Sequence, residues 1–114
     1  MNVIDAYRFG QIIVNGKHYV SDVIIYPDRV NDSWWRKTSH QLHLDELSEV
    51  ITEKPEVLVI GTGVSGLMKV LSEVREGFEA QGIELVCQHT REACQAYNQL
   101  CRDQRVIAAL HLTC

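Results

Sequence analysis

The stretch "VLVIGTGVSGLMKV", residues 57–70, carries the reading of the fold. Val57, Leu58, Val59 and Ile60 are all apolar, which fits a strand covered on both faces rather than one with a wet side. Gly61, Thr62, Gly63, Val64, Ser65 and Gly66 follow with the spacing of a glycine-rich turn. Val64, Leu67, Met68, Leu71, Val74 and Phe78 then recur at helical spacing and predict a helix ending near Gly82. Strand, glycine turn and helix together open a βαβ unit.

The residues downstream continue it. "GIELVCQ" reads as a strand, Thr90 is the expected N-cap, and Ala93, Ala96, Tyr97, Leu100 and Cys101 mark the inward face of a helix. "RVIAALHLTC" is a final buried strand, and the crossover helices call for parallel pairing of the last three strands. Upstream, Gln11–Val14 and residues 18–26 are β-rich runs joined by Asn15-Gly16-Lys17, a hairpin signature that Pro27-Asp28 closes. Trp34 and Trp35 are expected on a short third strand, presenting opposite faces. From Leu44 the apolar positions Leu44, Leu47, Val50 and Ile51 predict a helix, with Asp45 and Glu46 at its positive end and Lys54-Pro55 as its stop. The chain is thus an α/β protein with an N-terminal β-hairpin and a C-terminal βαβαβ passage, expected as a single domain over residues 1–114.

Composition excludes several functions. The net charge of −4 opposes binding to a polyphosphate, and the basic residues form no stripe, so no nucleic-acid partner is expected. No apolar run reaches the ~18 residues of a membrane span, and Asp5 and Arg8 interrupt the opening where a signal peptide would be apolar. A cytoplasmic location follows as the expectation. Cys87, Cys94, Cys101 and Cys114 contain no CxxC pair and are read as reduced thiols, with Cys114 the most accessible. His40 and His43 lack a third ligand at a compelling spacing, so no metal site is expected.

The glycine turn lacks residues that several known chemistries require. A dinucleotide site wants an acidic residue at the end of the next strand, where Gln88 and His89 stand. A P-loop wants Lys and Ser/Thr where Leu67 and Met68 stand, and a nucleophile elbow wants glycine at Leu67. No cofactor is expected. Two readings of the turn remain: a tight corner, or a small-anion site at a helix N-terminus. His111 lies in an otherwise apolar strand, where a buried imidazole must find a hydrogen-bond partner.

The segments "FGQIIVNGKHY", "VSDVIIYPD", "EKPEVLVIGTGVSG", "AYNQL" and "RVIAALHLTC", in this order and spacing, resemble the Mth938-domain family over nearly the whole chain. The resemblance implies a three-layer α/β fold with a central mixed sheet and a β-hairpin element. It brings no established reaction. Relatives in that family are similar to a mitochondrial complex I assembly factor and an adipogenesis-associated protein, and this chain shows no mitochondrial presequence.

Two functions follow as expectations. In the first, the chain is a non-enzymatic binding or assembly module for a protein partner, anchored by Trp34 and Trp35. In the second, it binds a small anion, or acts as a cryptic enzyme, at Gly61, Gly63, Ser65 and Gly66, with Lys37, Ser39, His40 or His111 supplying charge or proton transfer. Oligomeric state is left open by the sequence.

Overall fold

The computed structural model describes residues 2–38 and 40–114. In chain order the elements are β1 (Ile4–Arg8), β2 (Gln11–Val14), β3 (Lys17–Tyr19), β4 (Val23–Ile25), β5 (Val30–Asn31) and β6 (Gln41–Leu42). A 3-10 turn (Leu44–Leu47) runs into α1 (Ser48–Glu53), followed by β7 (Val57–Thr62), β8 (Lys69–Val70), α2 (Ser72–Ala80), β9 (Glu84–Gln88), α3 (Thr90–Leu100) and β10 (Val106–His111).

The two most apolar runs of the sequence become two of the three inner strands, β7 and β10. β10 lies at the centre of a five-stranded sheet of order β5-β4-β10-β7-β9. It runs parallel to β7 and antiparallel to β4, and β7 runs parallel to β9, so the sheet is mixed. Side chains alternate across it as the pleat requires. Val57, Val59, Val106, Ala108 and Leu110 face α3 and the smaller β1-β2-β3 sheet, packing with Ile4, Ile12, Val14, Ala93 and Tyr97. Leu58, Ile60, Ile107 and Ala109 face the opposite side, with Leu47, Val50, Val74 and Phe78 from the 3-10 turn, α1 and α2. Each fully buried Val, Leu or Ile contributes about 1.5–3 kcal/mol, so this double-sided burial supplies most of the driving force. The expected three layers with a central mixed sheet are therefore present.

Local chemistry sets the turns. Asn15 and Gly16 both take positive φ, 52° and 78°, the pair of conformations that a two-residue hairpin needs. Lys54 ends α1 in the left-handed region, at φ 50°. Asn98 of α3 closes the outer edge of β1, accepting from the Ile4 N–H at 2.9 Å and donating to its C=O at 2.8 Å, as a neighbouring strand would.

Several expectations are corrected. The helix predicted to start at Val64 begins at Ser72, because residues 63–71 form a loop containing β8; Val64 and Leu67 are exposed, and only Val74 and Phe78 of the predicted stripe are buried helical residues. The run 18–26 is two strands in different sheets, β3 and β4, broken at Val20, Ser21 and Asp22. No strand holds Trp34 and Trp35; β5 and β6 flank them instead. Thr90 is the first residue of α3 rather than its cap, and His89 occupies the cap position. β1 carries too mixed a pattern to have been read from the sequence, with Ile4 and Tyr7 its only buried residues. Among the described residues no helix is long and apolar enough to cross a membrane.

Candidate functional site

The carboxyl ends of β7 and β10 gather the polar chemistry of the molecule. Asp22, at the start of β4, stands beside the end of its antiparallel neighbour β10, where its Oδ1 accepts from the Leu112 N–H at 2.7 Å. Its Oδ2 lies 2.8 Å from His111 Nδ1 and 2.7 Å from the Arg36 Nη1. All three side chains are largely enclosed, at 17% exposure for Asp22, 6% for Arg36 and 4% for His111. A carboxylate only accepts, so His111 Nδ1 carries its proton and donates it to Asp22. The Arg36 Nη2, 3.0 Å from the same Nδ1, then faces a donor, and its attraction to the cluster runs through Asp22. Burial pushes the Asp22 pKa up, but the bonds from His111 and Leu112 and the Arg36 charge outweigh it and hold the carboxyl below its ordinary value.

His111 presents its other nitrogen, Nε2, to the Thr113 hydroxyl at 3.4 Å. The His40 ring stands edge-on to it, with centroids 6.2 Å apart at 81°. Thr90 ties the neighbouring strands: its Oγ1 accepts from the Gly63 N–H at 2.8 Å and donates to the His111 carbonyl at 2.6 Å. Two expected partners, His40 and His111, therefore do meet in space. Ser39 lies outside the described residues.

The glycine stretch has a different setting from the one its spacing suggested. No helix follows it directly, so the strand-to-helix turn expected at Gly61, Gly63, Ser65 and Gly66 is corrected to a strand leading into a loop. The N–H groups of Gly63, Val64, Gly66 and Leu67 donate to Thr90 Oγ1, Thr113 O, Gly63 O and Cys114 O, respectively. Ser65 is exposed. The glycines serve close approach. A Cβ on Gly61 would stand 2.9 Å from Thr90 Oγ1 and Leu110 Cδ2, and one on Gly63, where φ is 106°, would fall 2.2 Å from the Cys114 carbonyl carbon. The helix that packs against Gly61 is α3, from the next crossover.

Lys37 and the tryptophans lie to one side, in a cleft of about 280 Å³ that Trp34, Trp35, Lys37, Tyr26 and Asp45 help to line. Lys37 Nζ pairs with Asp45 at 2.8 Å. Trp34 is half-buried and donates its indole N–H to the Glu46 carbonyl at 3.2 Å, while the Arg36 guanidinium lies 4.8 Å over its ring. Trp35 is 71% exposed. Among the described residues no group of three or more His, Cys, Asp or Glu could hold a metal.

Exposed apolar side chains lie close in sequence to the segments that build the polar cluster. Phe9, Val20, Trp35, Val64 and Leu67 are exposed, and each sits next to a tie to the end of β10. Gly10 after Phe9 donates to Leu112 O, Val64 to Thr113 O, and Leu67 to Cys114 O. Val20 precedes the Asp22 loop, and Trp35 precedes Arg36. Among the described residues one further large hydrophobic is exposed, Val3, at the other end of β1, where its N–H donates to Asn15 Oδ1. Sequence reasoning missed Asp22, Arg36 and Thr113; Asp22 has no local signal, because its partners Arg36 and His111 lie far along the chain.

Comparison with known proteins adds a consistent set of relatives. A family model described as a protein of unknown function (DUF498/DUF598) matches residues 4–111. The human NADH dehydrogenase [ubiquinone] 1 alpha subcomplex assembly factor 3 is 28% identical over 109 residues, covering 93% of this chain and 58% of the human protein. The chain thus spans just over half the length of that curated relative. Among solved structures, the conserved hypothetical protein PH1505 of Pyrococcus horikoshii is 30% identical with a TM-score of 0.84, covering 97% of this chain and 98% of that one. The protein MT938 is 29% identical with a TM-score of 0.82 over the full length of both chains.

Proposed function

The chain belongs to the Mth938-like family of proteins of unknown function (DUF498/DUF598), and from that premise we propose that it is a non-enzymatic binding module of the assembly type, engaging a protein partner at the end of the sheet where β7 and β10 finish. One observation carries the reading. Among the described residues, the exposed Phe9, Val20, Trp35, Val64 and Leu67 adjoin in sequence the segments tied to the end of β10, and exposed apolar side chains grouped on a folded surface mark an interaction site. Trp35 is the expected anchor, since tryptophan is enriched at the energetic centres of interfaces. Asp22, Arg36 and His111 hold the face in shape from beneath. The assembly-factor relative supports a protein as the ligand class. The alternative, a small anion at Gly61, Gly63, Ser65 and Gly66, has less support because the loop there opens no helix and spends its backbone donors internally.

The experiment is affinity capture from native lysate with the whole chain and two surface variants, Trp35→Ala and the double variant Phe9→Ser with Leu67→Ser. A partner retained by the parent and lost from both variants, with their melting temperatures unchanged, is the expected result. Recovery of the same proteins by all three chains, or of none by any, would refute the assignment.

A further inference from the structure

β9 is an edge strand, and among the described residues no strand pairs with its outer side. Along a strand the N–H and C=O of one residue point to the same side, and the side alternates from residue to residue. Glu84 donates its N–H to Glu56 O at 3.1 Å, and Gln88 O accepts from Thr62 Oγ1 at 3.1 Å. Glu84, Val86 and Gln88 therefore turn their backbone toward β7, and Leu85 and Cys87 hold theirs outward. The Leu85, Val86 and Cys87 side chains are half-exposed, Leu85 and Cys87 on the α2 side and Val86 on the α3 side. Beside this edge a groove of about 350 Å³ is lined by Arg75, Glu79, Ile83, Glu84 and Leu85.

We propose that β9 is a dimerisation edge, to which a second copy of this chain adds its own β9 antiparallel about a two-fold axis through Val86. In that register Leu85 of one copy stands opposite Cys87 of the other, and each such pair exchanges both of its outward hydrogen bonds. The two central sheets join into one. The groove favours a copy over a foreign strand because it carries both charge signs: a two-fold axis brings each copy's Arg75 toward the other's Glu79 and Glu84.

Sedimentation equilibrium of the whole chain tests it, with an expected mass twice the 13.0 kDa of one chain at high concentration. Cys87→Pro removes an outward N–H and leaves the β7 ladder intact, so it is expected to sediment as a folded monomer. Leu85→Cys places a thiol opposite Cys87 of the other copy, with Cα atoms about 5.5 Å apart, inside the range a disulfide spans. Added diamide takes two electrons and two protons from each thiol pair as the S–S bond forms, and a covalent dimer is expected on a non-reducing gel. A single-chain mass at every concentration, a dimer that persists in folded Cys87→Pro, or Leu85→Cys that stays uncrosslinked would overturn the proposal. If Cys87→Pro fails to fold, the cross-link decides.

Discussion

Replacing Asp22 by asparagine removes one charge and little else, which makes it the sharpest test of the cluster behind the C-terminal segment. The parent carboxylate accepts from His111, Arg36 and the Leu112 N–H at 2.7–2.8 Å. The asparagine side chain keeps one oxygen for Leu112 but removes the negative charge that faces the enclosed Arg36 guanidinium at 2.7 Å. Breaking one partner out of a buried pair costs about 3–5 kcal/mol, and the retained oxygen puts this variant near ~3 kcal/mol. With a urea slope of about 1.5 kcal/mol/M for a chain this size, the unfolding midpoint at neutral pH should fall by ~2 M. The pH dependence has a definite sign. Because the folded pKa of Asp22 is depressed, its contribution is complete above the unfolded value of about 3.9 and is lost as pH falls through the folded value. The part of the difference between parent and Asp22→Asn that comes from the Asp22 charge should therefore be lost as pH falls below about 4. A midpoint shift equivalent to less than ~1 kcal/mol at neutral pH, or a gap that stays fully open well below pH 4, would show that the cluster does not act as the geometry indicates.

Gly63→Ala should cost upwards of ~3 kcal/mol, adding overpacking against Cys114 to the strain of a positive φ, whereas Gly10→Ala, with open space around it, should cost only ~1–2; comparing their thermal melts checks the difference. Thr90→Val keeps the shape but strands the Gly63 N–H and the His111 carbonyl, and a loss of ~2–3 kcal/mol is expected in denaturant titration, against less than ~0.5 for the exposed Thr52→Val. Burial pushes the Cys94 thiol up to about 12, with Arg91 opposing it, so at pH 8 a thiol reagent followed by peptide mapping should label Cys94 only after the chain unfolds; labelling of the native chain at the unfolded rate would contradict its burial.

What could be read from residues alone follows from how each signal is encoded. β7 and β10 are continuous apolar runs, and a strand covered on both faces has no other composition. The Asn15-Gly16 turn is equally local, since positive φ at successive positions is a property of those two residues. The loop at 63–71 misled because Leu67 and Met68 keep helical spacing while only Met68 is buried; its fate depends on backbone ties to His40 and Cys114, which are distant in sequence. Asp22 was invisible for the same reason. Its partners come from two segments far along the chain, and nothing local marks a carboxylate that will be enclosed. His111 was legible as a buried imidazole in need of a partner, but the identity of that partner was not.

The central place of β10 has a consequence for how the chain is made. β4 and β7 meet only through it, so during synthesis the N-terminal strands and the β7-β9 pair emerge as two apolar half-sheets with nothing to join them. Between residues 62 and 111 a ribosome adds about 50 residues, which takes ~3–10 s at ~5–20 residues per second. Throughout that interval the inner edges of both halves stay unpaired, and a nascent chain in this state is a natural client for a chaperone. The late arrival of the middle strand makes the emergence of β10, rather than any earlier moment, the point at which this fold closes.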